Sequence, residues 1–161
     1  RATRCTSPRS RPDDLGGDGV RGQLLHLDVP QSPASRVIWH GHTYLVPWLD
    51  GSLLVGATVE DVGFDERATA AGVRELLDAV TGLLPAASHA ALREGRVGLR
   101  PATADHLPLL GPVAGHPRIT LATGHYRNGI LLAPFTADVV SRMIMDDDRD
   151  PMLDVTRVDR T

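Results

Sequence analysis

Several short stretches of the chain place a hydrophobic residue at every second position, which is the spacing of a β-strand with one buried face. These stretches lie at 20–29, 37–40, 42–48 and 52–58. Leu49-Asp50-Gly51 separates the last two, and an Asp-Gly pair between apolar runs is a strong hairpin signal because glycine tolerates a positive φ. The pattern therefore predicts several strands, with an antiparallel hairpin formed by the last two.

One longer stretch has the period of a helix instead. Over 68–84 the apolar residues fall at helical spacing and form a single stripe, made of Val73, Leu76, Leu77, Val80, Leu83 and Leu84. Pro85 follows, and proline does not continue a helix because it lacks the amide hydrogen. We predict an amphipathic helix that ends before Pro85.

The second half of the chain contains fewer elements. Strands are predicted at 93–99 and 118–123, followed by a final helix at 129–144. Pro134 is compatible with that helix only if it falls in the first turn. Several strands, one helix, two strands and a closing helix predict an α+β protein with a mostly antiparallel sheet.

The same patterns divide the chain into three segments. Residues 1–19 lack hydrophobic periodicity and are predicted to be a disordered leader. Residues 20–145 contain all the predicted elements. Residues 146–161 begin with a run of aspartates and are predicted to be a solvated, charged tail without a function.

Composition excludes some classes of function. The 161 residues are 42% hydrophobic with a net charge of −3, as expected of a globular chain of domain size. That charge gives no attraction to nucleic acid or anionic membranes, and no apolar run approaches the roughly 18 residues of a membrane span. The single cysteine, Cys5, excludes an internal disulfide. We expect a cytoplasmic protein.

Motifs of other enzyme classes are missing or incomplete. His40 and His42 stand two apart and would share one face of a strand, as metal ligands could, but we find no convincing third ligand and predict no metal site. The chain has no Gly-x-Ser-x-Gly elbow, no phosphate-binding P-loop and no paired cysteines. Hydrolase and kinase chemistry therefore lack support.

Two arginines, Arg100 and Arg127, each follow an apolar strand-like run, where a side chain can project into a cleft. An arginine is always charged and presents a planar fork of donors, so a pair that converges on one cleft suits a carboxylate. The glycines around Arg127 would let the backbone approach a planar ligand closely. This combination favours an enzyme that acts on a small amino acid.

The sequences around both arginines also resemble a known family. Residues 98–112 (GLRPATADHLPLLGP) and 122–134 (ATGHYRNGILLAP) are similar to the C-terminal half of the glycine oxidases, which belong to the flavin-dependent D-amino-acid oxidase family. The resemblance covers about residues 20–145 and corresponds to roughly the second half of a family member. It implies a substrate domain, plus a final strand and helix that would return to a flavin domain.

The resemblance implies the roles of individual residues. Tyr44, Arg100 and Arg127 would line the substrate site, with Arg100 and the Tyr44 hydroxyl holding the carboxylate. From the sequence alone, Tyr44 reads more simply as a half-buried packing residue and the glycine-rich loop as an ordinary strand-to-helix turn. The flavin-side contacts would come from that loop and the helix behind it: Gly124, His125, Tyr126, Arg127, Asn128, Gly129, Ile130 and Leu131.

The family reaction oxidises glycine or another small amine to its imine, with FAD as hydride acceptor and oxygen as final oxidant. Hydrogen peroxide and a 2-oxo acid follow, and in the glycine oxidases of thiamine biosynthesis the imine feeds thiazole assembly. We find no candidate general base beside the arginines, which fits direct hydride transfer. Glycine, sarcosine, D-alanine and D-proline all remain open as substrates.

One part of the family pattern has no counterpart. The N-terminal βαβ unit, whose Gly-x-Gly-x-x-Gly follows a strand and opens a helix to hold the ADP part of FAD, is not recognisable in this chain. We therefore expect the chain to be inactive by itself. The alternatives are a non-catalytic truncated fragment, or one subunit that needs a separate flavin-binding chain.

Overall fold

A computed structural model describes residues 18–29, 34–146 and 150–160. The chain divides into two compact units, a first unit of Gly19–Leu99 and a second unit that contains Arg100–Thr161. Most of the predicted leader lies outside the described residues, but its last two positions, Asp18 and Gly19, already belong to the first strand. The boundary at Arg100 divides the segment 20–145 that the sequence analysis treated as continuous.

The first unit is built on a six-stranded sheet. Its strands are β1 (Asp18–Asp28), β2 (Ile38–His40), β3 (Thr43–Pro47), β4 (Ser52–Gly56), β5 (Glu60–Asp61) and β6 (Ala91–Ala102). The order is β2-β3-β4-β1-β5, with antiparallel neighbours, and β6 also pairs with β1. The predicted α+β class with a mostly antiparallel sheet is confirmed.

The predicted hairpin joins β3 to β4. The Trp48 N–H donates to the Ser52 carbonyl at 2.9 Å, and Gly51 has a φ of +83°. A side chain at position 51 would be strained in this left-handed conformation, which explains why the turn contains glycine.

One face of the sheet is covered by α1 (Ala70–Leu83), which ends in the short 3-10 helix Pro85–His89. The predicted apolar stripe faces the sheet, with Leu76 and Val80 fully buried and Val73, Leu77 and Leu83 partly buried. The sheet contributes the other half of the core: Leu25, Leu27, Val29, Leu45, Leu53 and Val55. Burying side chains of this size contributes about 1.5–3 kcal/mol each, so this contact dominates the stability of the unit.

A polar network lies under the start of α1, and its members gave no signal in the sequence. The Arg21 guanidinium is buried and donates to Glu60 Oε2 at 2.6 Å. Gln23 donates to Glu60 Oε1 at 2.7 Å and to Thr69 Oγ1 at 2.9 Å, and Thr69 caps the helix through the Gly72 N–H. Burial of charge and amide groups is tolerated here because they bond to one another.

The second unit is a hairpin covered by helices. It contains β7 (Leu109–Val113), β8 (His116–Thr123), α2 (Gly129–Met145), α3 (Met152–Val155) and the 3-10 helix Val158–Arg160. β7 and β8 pair antiparallel from Leu109 opposite Thr123, with a bulge at Pro112. Leu110, Val139 and Leu153 form a small buried core.

The structure of this half differs from the prediction in three places. Strand β7 was not predicted, because Leu109–Val113 contains Gly111 and Pro112, which are poor strand residues. Pro134 lies in the second turn of α2, not the first, and the helix continues through it. The expected solvated tail is instead partly folded, with Leu153, Thr156 and Val158 buried.

Helix α2 has two different ends. Val139 is fully buried and Met143 is partly buried on the core of the second unit. By contrast, Ile130 and Leu131 in the first turn are 96% and 78% exposed. The second half of α2 therefore packs on the core of this unit, whereas its first turn exposes apolar side chains.

Within 18–29, 34–146 and 150–160, none of the helices has the length and apolar character needed to cross a bilayer.

One stretch of the sequence has the glycine spacing of a dinucleotide-binding turn. Gly17, Gly19 and Gly22 have the bare spacing Gly-x-Gly-x-x-Gly, yet Asp18–Asp28 is a strand. That motif requires glycines that open a helix, whereas Gly19 and Gly22 lie within a strand and do not belong to a dinucleotide-binding turn.

Candidate functional site

Tyr44 lies in β3 on the sheet face opposite α1. Its neighbour Leu45 points into the core, and alternation along a strand directs Tyr44 the other way. The ring is half-buried and stacks on Trp39, with centroids 5.3 Å apart. Gly56 stands opposite in β4, and a Cβ at that position would lie 2.6 Å from the Tyr44 hydroxyl. Tyr44 belongs to the first unit, whereas both arginines belong to the second.

Arg100 and Arg127 come from backbone segments that are bonded to each other. The Tyr126 N–H donates to the Pro101 carbonyl at 2.9 Å, so the residue after Arg100 is joined to the residue before Arg127. Arg100 is half-buried and Arg127 is exposed. The structure thus places the two predicted substrate arginines on neighbouring backbone segments.

The β7–β8 hairpin brings two loops to one end of the second unit. The loop 103–108 enters β7 and the loop 124–128 leaves β8, and the pair Leu109 and Thr123 closes the ladder between them. Gly124 has a φ of +75°, and a Cβ there would lie 2.9 Å from Thr103 Cγ2. Glycine is required at 124 both by this backbone conformation and by the closeness of the opposite loop.

An aromatic pair also joins these loops, and sequence reasoning missed it. The rings of His106 and Tyr126 stack with centroids 4.7 Å apart and planes inclined by 23°. Both residues have a left-handed backbone, with φ of 59° and 50°. That conformation is uncommon outside glycine and, when it occurs, is often found at ligand sites.

The loop 103–107 is held in shape by Asp105. Its Oδ1 accepts from the Leu107 N–H at 3.0 Å, and the Thr103 hydroxyl lies 2.9 Å away. Hydrogen bonds from Arg160 and then from the Leu107 N–H hold the pKa of Asp105 well below its usual range. The Thr-x-Asp spacing is a turn signal, but the partner Arg160 is too distant in sequence to be found from spacing.

The side chain of His125 contacts α2. Its Nε2 lies 2.9 Å from Thr136 Oγ1, and burial lowers the pKa of the imidazole below its ordinary value. A cavity of about 360 Å³ adjoins this contact and is lined mainly by small residues of β8 and α2: Ala122, Gly129, Ala133, Ala137 and Ser141. We expect a neutral His125 at pH 7, which suits a structural contact better than proton transfer.

The start of α2 is chemically suited to an anionic, planar group. Asn128 is the N-cap, but its side chain makes no capping bond, and the first helical bond is donated by Leu132. The N–H groups of Gly129, Ile130 and Leu131 therefore precede the helical ladder at the positive end of the helix dipole. Such groups suit negative charge, which is the charge that a reduced flavin ring would carry.

The two histidines considered as metal ligands do not share a strand. His40 ends β2, whereas His42 lies in the turn before β3. No group of three His, Cys, Asp or Glu side chains suitable for a metal ion occurs in the described part of the chain.

Comparison with known proteins shows which family the chain resembles. The family model "FAD dependent oxidoreductase" (DAO) matches residues 7–143. The bifunctional protein ThiO/ThiG of Nostoc sp. is 46% identical over 137 residues, and the Bacillus subtilis glycine oxidase is 34% identical over 142. A crystal structure of glycine oxidase from Geobacillus kaustophilus superposes with a TM-score of 0.84 at 32% identity.

The matches cover most of this chain but only part of the relatives. They span 83% of this chain and 21% of the Nostoc protein, 88% and 38% for the Bacillus protein, and 91% and 40% for the Geobacillus structure. This chain therefore corresponds to a part of a glycine oxidase. By the extent of the family match and the similarity of its fold, it belongs to the FAD-dependent oxidoreductases.

Proposed function

We propose that this chain supplies the substrate-binding part of an FAD-dependent oxidase that converts glycine or another small amino acid to its imine. The observation that carries the proposal is the Tyr126–Pro101 hydrogen bond, which joins the segments of Arg100 and Arg127. The name of the Bacillus subtilis relative, glycine oxidase, supports the substrate class, and the ThiO part of the Nostoc name supports a place in thiamine biosynthesis.

In this proposal Arg100 binds the substrate carboxylate through its guanidinium fork, and Tyr44 and Arg127 complete the amino-acid site. A carboxylate held in this way fixes the orientation of the amine and Cα. No residue is assigned as general acid or base. Bound FAD would supply the hydride acceptor, with oxygen as the final oxidant. The balanced reaction consumes the amino acid and oxygen and yields the imine and hydrogen peroxide.

The flavin side of the site would be provided by residues 124–131. The N–H groups at the start of α2 would stabilise negative charge on the reduced ring, since they lie at the positive end of the helix dipole. The exposed Ile130 and Leu131 favour a further partner surface at this end of α2. We infer that a flavin-binding half, covalently joined or separate, covers them.

The direct test is an assembled oxidase. Residues 18–160 of this chain would replace the matching segment of the Bacillus subtilis glycine oxidase, and flavin content would be checked by absorbance. We expect glycine to produce equal amounts of hydrogen peroxide and glyoxylate, with sarcosine, D-alanine and D-proline tested in parallel. A chimaera that holds flavin but oxidises none of the four would refute the proposed function.

A further inference from the structure

The C-terminal segment 150–160 folds back onto the hairpin of the second unit. Leu153, Thr156 and Val158 are buried, and the Leu110 N–H donates to the Thr156 carbonyl at 2.8 Å. The segment is thereby bonded to β7, the strand that follows the loop 103–108. This docking places Arg160 beside that loop.

All three nitrogens of the Arg160 guanidinium donate hydrogen bonds to neighbouring groups. Nε donates to Asp105 Oδ2 at 2.8 Å, and Nη2 donates to Asp105 Oδ1 at 3.0 Å and to the Leu107 carbonyl at 2.7 Å. Nη1 donates to the Arg157 carbonyl at 2.9 Å. The Arg160 side chain is only 14% exposed. Such a bidentate pair fixes geometry as well as charge, because both donors must align with both carboxylate oxygens.

The contacts continue from this pair to the loop that carries Arg127. Asp105 Oδ1 lies 2.9 Å from the hydroxyl of Thr103, and Thr103 Cγ2 packs closely on Gly124. Between the two residues that Arg160 holds, His106 stacks on Tyr126. Two independent contacts therefore lead from Arg160 to the segment 124–126, next to Arg127.

We propose that Arg160 is a positioning residue for the amino-acid site: through Asp105 and Leu107 it fixes the loop 103–107, and through that loop it orients the segment of Arg127. The inference rests on the proposed function for its catalytic meaning. A site whose arginine must meet a carboxylate within a fraction of an ångström needs such support from residues that do not touch the ligand.

The first test uses the 161-residue chain itself and needs no flavin. Hydrogen exchange would be compared for the unaltered chain, Arg160→Gln, Arg160→Lys and Asp105→Asn. Arg157→Gln is the matched control, because the Arg157 side chain is exposed and pairs with Asp159 and not with the loop 103–107. The informative amides are those of His106, Leu107 and Tyr126, which are all hydrogen-bonded.

We expect Arg160→Gln and Asp105→Asn to speed exchange at these amides by at least about tenfold, as loss of a charged hydrogen bond implies. Arg160→Lys keeps the positive charge but loses the planar fork of donors, so its exchange rates should lie between those of the unaltered chain and those of Arg160→Gln. Arg157→Gln should leave the exchange rates of these three amides unchanged, and amides of the first unit should stay protected in all variants. Unchanged exchange of the Tyr126 amide in Arg160→Gln would overturn the proposal.

The second test separates positioning from mere stability. In the chimaera described above, Arg160→Gln should raise KM for glycine by about tenfold with a smaller change in kcat, because carboxylate binding is what loosens. A lower melting temperature with unchanged KM and kcat would show a purely structural role and refute the inference. If the unaltered chimaera holds flavin but oxidises none of the four amino acids, the proposed function fails, whereas the exchange result still decides whether Arg160 orders the loop.

Discussion

At the scale of single residues, the candidate site depends on close contacts between two loops. Gly124 approaches Thr103, and His106 stacks on Tyr126, although neither His106 nor Tyr126 has a favourable backbone conformation. Unfavourable backbone geometry persists only where neighbouring contacts enforce it. Substitutions that add or remove one methyl group in these loops should therefore change the free energy of unfolding by a measurable amount.

Gly124→Ala should destabilise the second unit by about 1–3 kcal/mol, because the new Cβ meets Thr103 Cγ2 and the backbone has a positive φ. Thr103→Ser removes the methyl group that the Cβ would meet. In that background Gly124→Ala should cost less, and the remaining cost reports the backbone alone. Urea unfolding of the four chains measures this, and equal costs in both backgrounds would contradict the close contact.

The lowered pKa of Glu60 predicts that the stability of the chain depends on pH. The hydrogen bond from Arg21 lowers the pKa of Glu60 to about 2, from an ordinary value of 4.5. The unfolded chain thus binds more protons between these values, and the contribution of Glu60, complete above pH 4.5, is lost as the pH falls toward about 2.

Glu60→Gln should be less stable than the unaltered chain at pH 5, and the difference should shrink by pH 3. Glu66→Gln, at an exposed carboxylate of the same unit, is the control. Urea midpoints at the two pH values measure the effect. A constant difference between the chains would show that the Arg21–Glu60 pair does not govern acid stability.

At the scale of elements, α1 offers two glycines in very different surroundings. A Cβ on Gly72 would collide with the side-chain amide nitrogen Nε2 of Gln23, whereas a Cβ on Gly82 would meet nothing within 4 Å. Gly72→Ala should cost about 1–3 kcal/mol through overpacking of the polar network. Gly82→Ala should instead stabilise by up to about 1 kcal/mol, through helix propensity.

Thermal unfolding of both variants tests this contrast in one helix. Equal effects at the two positions would mean that α1 does not press on Gln23 as described.

The elements that could be predicted from sequence are those with one clearly apolar face. The stripe of α1 and the Asp50-Gly51 turn are local signals, and the fold uses both. Strand β7 could not be found because Gly111 and Pro112 break its pattern, and its pairing with β8 compensates. The docking of 150–160 depends on Leu153 and Arg160 meeting distant partners, which no local pattern reveals.

The candidate site shows the same division. Arg100, Arg127 and the loop 124–129 could be identified because charge, glycine spacing and family resemblance coincide at these positions. His106, Asp105 and Arg160 could not, since their importance comes from contacts between segments far apart in the chain.

At the scale of the whole molecule, the chain corresponds to only part of the length of its relatives. The chain spans about two fifths or less of the relatives compared above, and no dinucleotide-binding turn occurs among the described residues. We expect the purified chain to lose added FAD on desalting, because the pyrophosphate contacts of that turn are lacking. A flavin spectrum that survives desalting would contradict this expectation.

We propose that Arg100 binds the carboxylate of a small amino acid, and the most direct measurement of this binding is the rate of flavin reduction by glycine in the chimaera. Arg100→Ala should lower the second-order rate constant by at least about tenfold, since each hydrogen bond to a charged group contributes about 1.5–3 kcal/mol. Arg96→Ala, at an exposed arginine of β6 paired with Glu94, should leave it unchanged. Equal rates for the Arg100→Ala and unaltered proteins would show that the carboxylate is bound elsewhere.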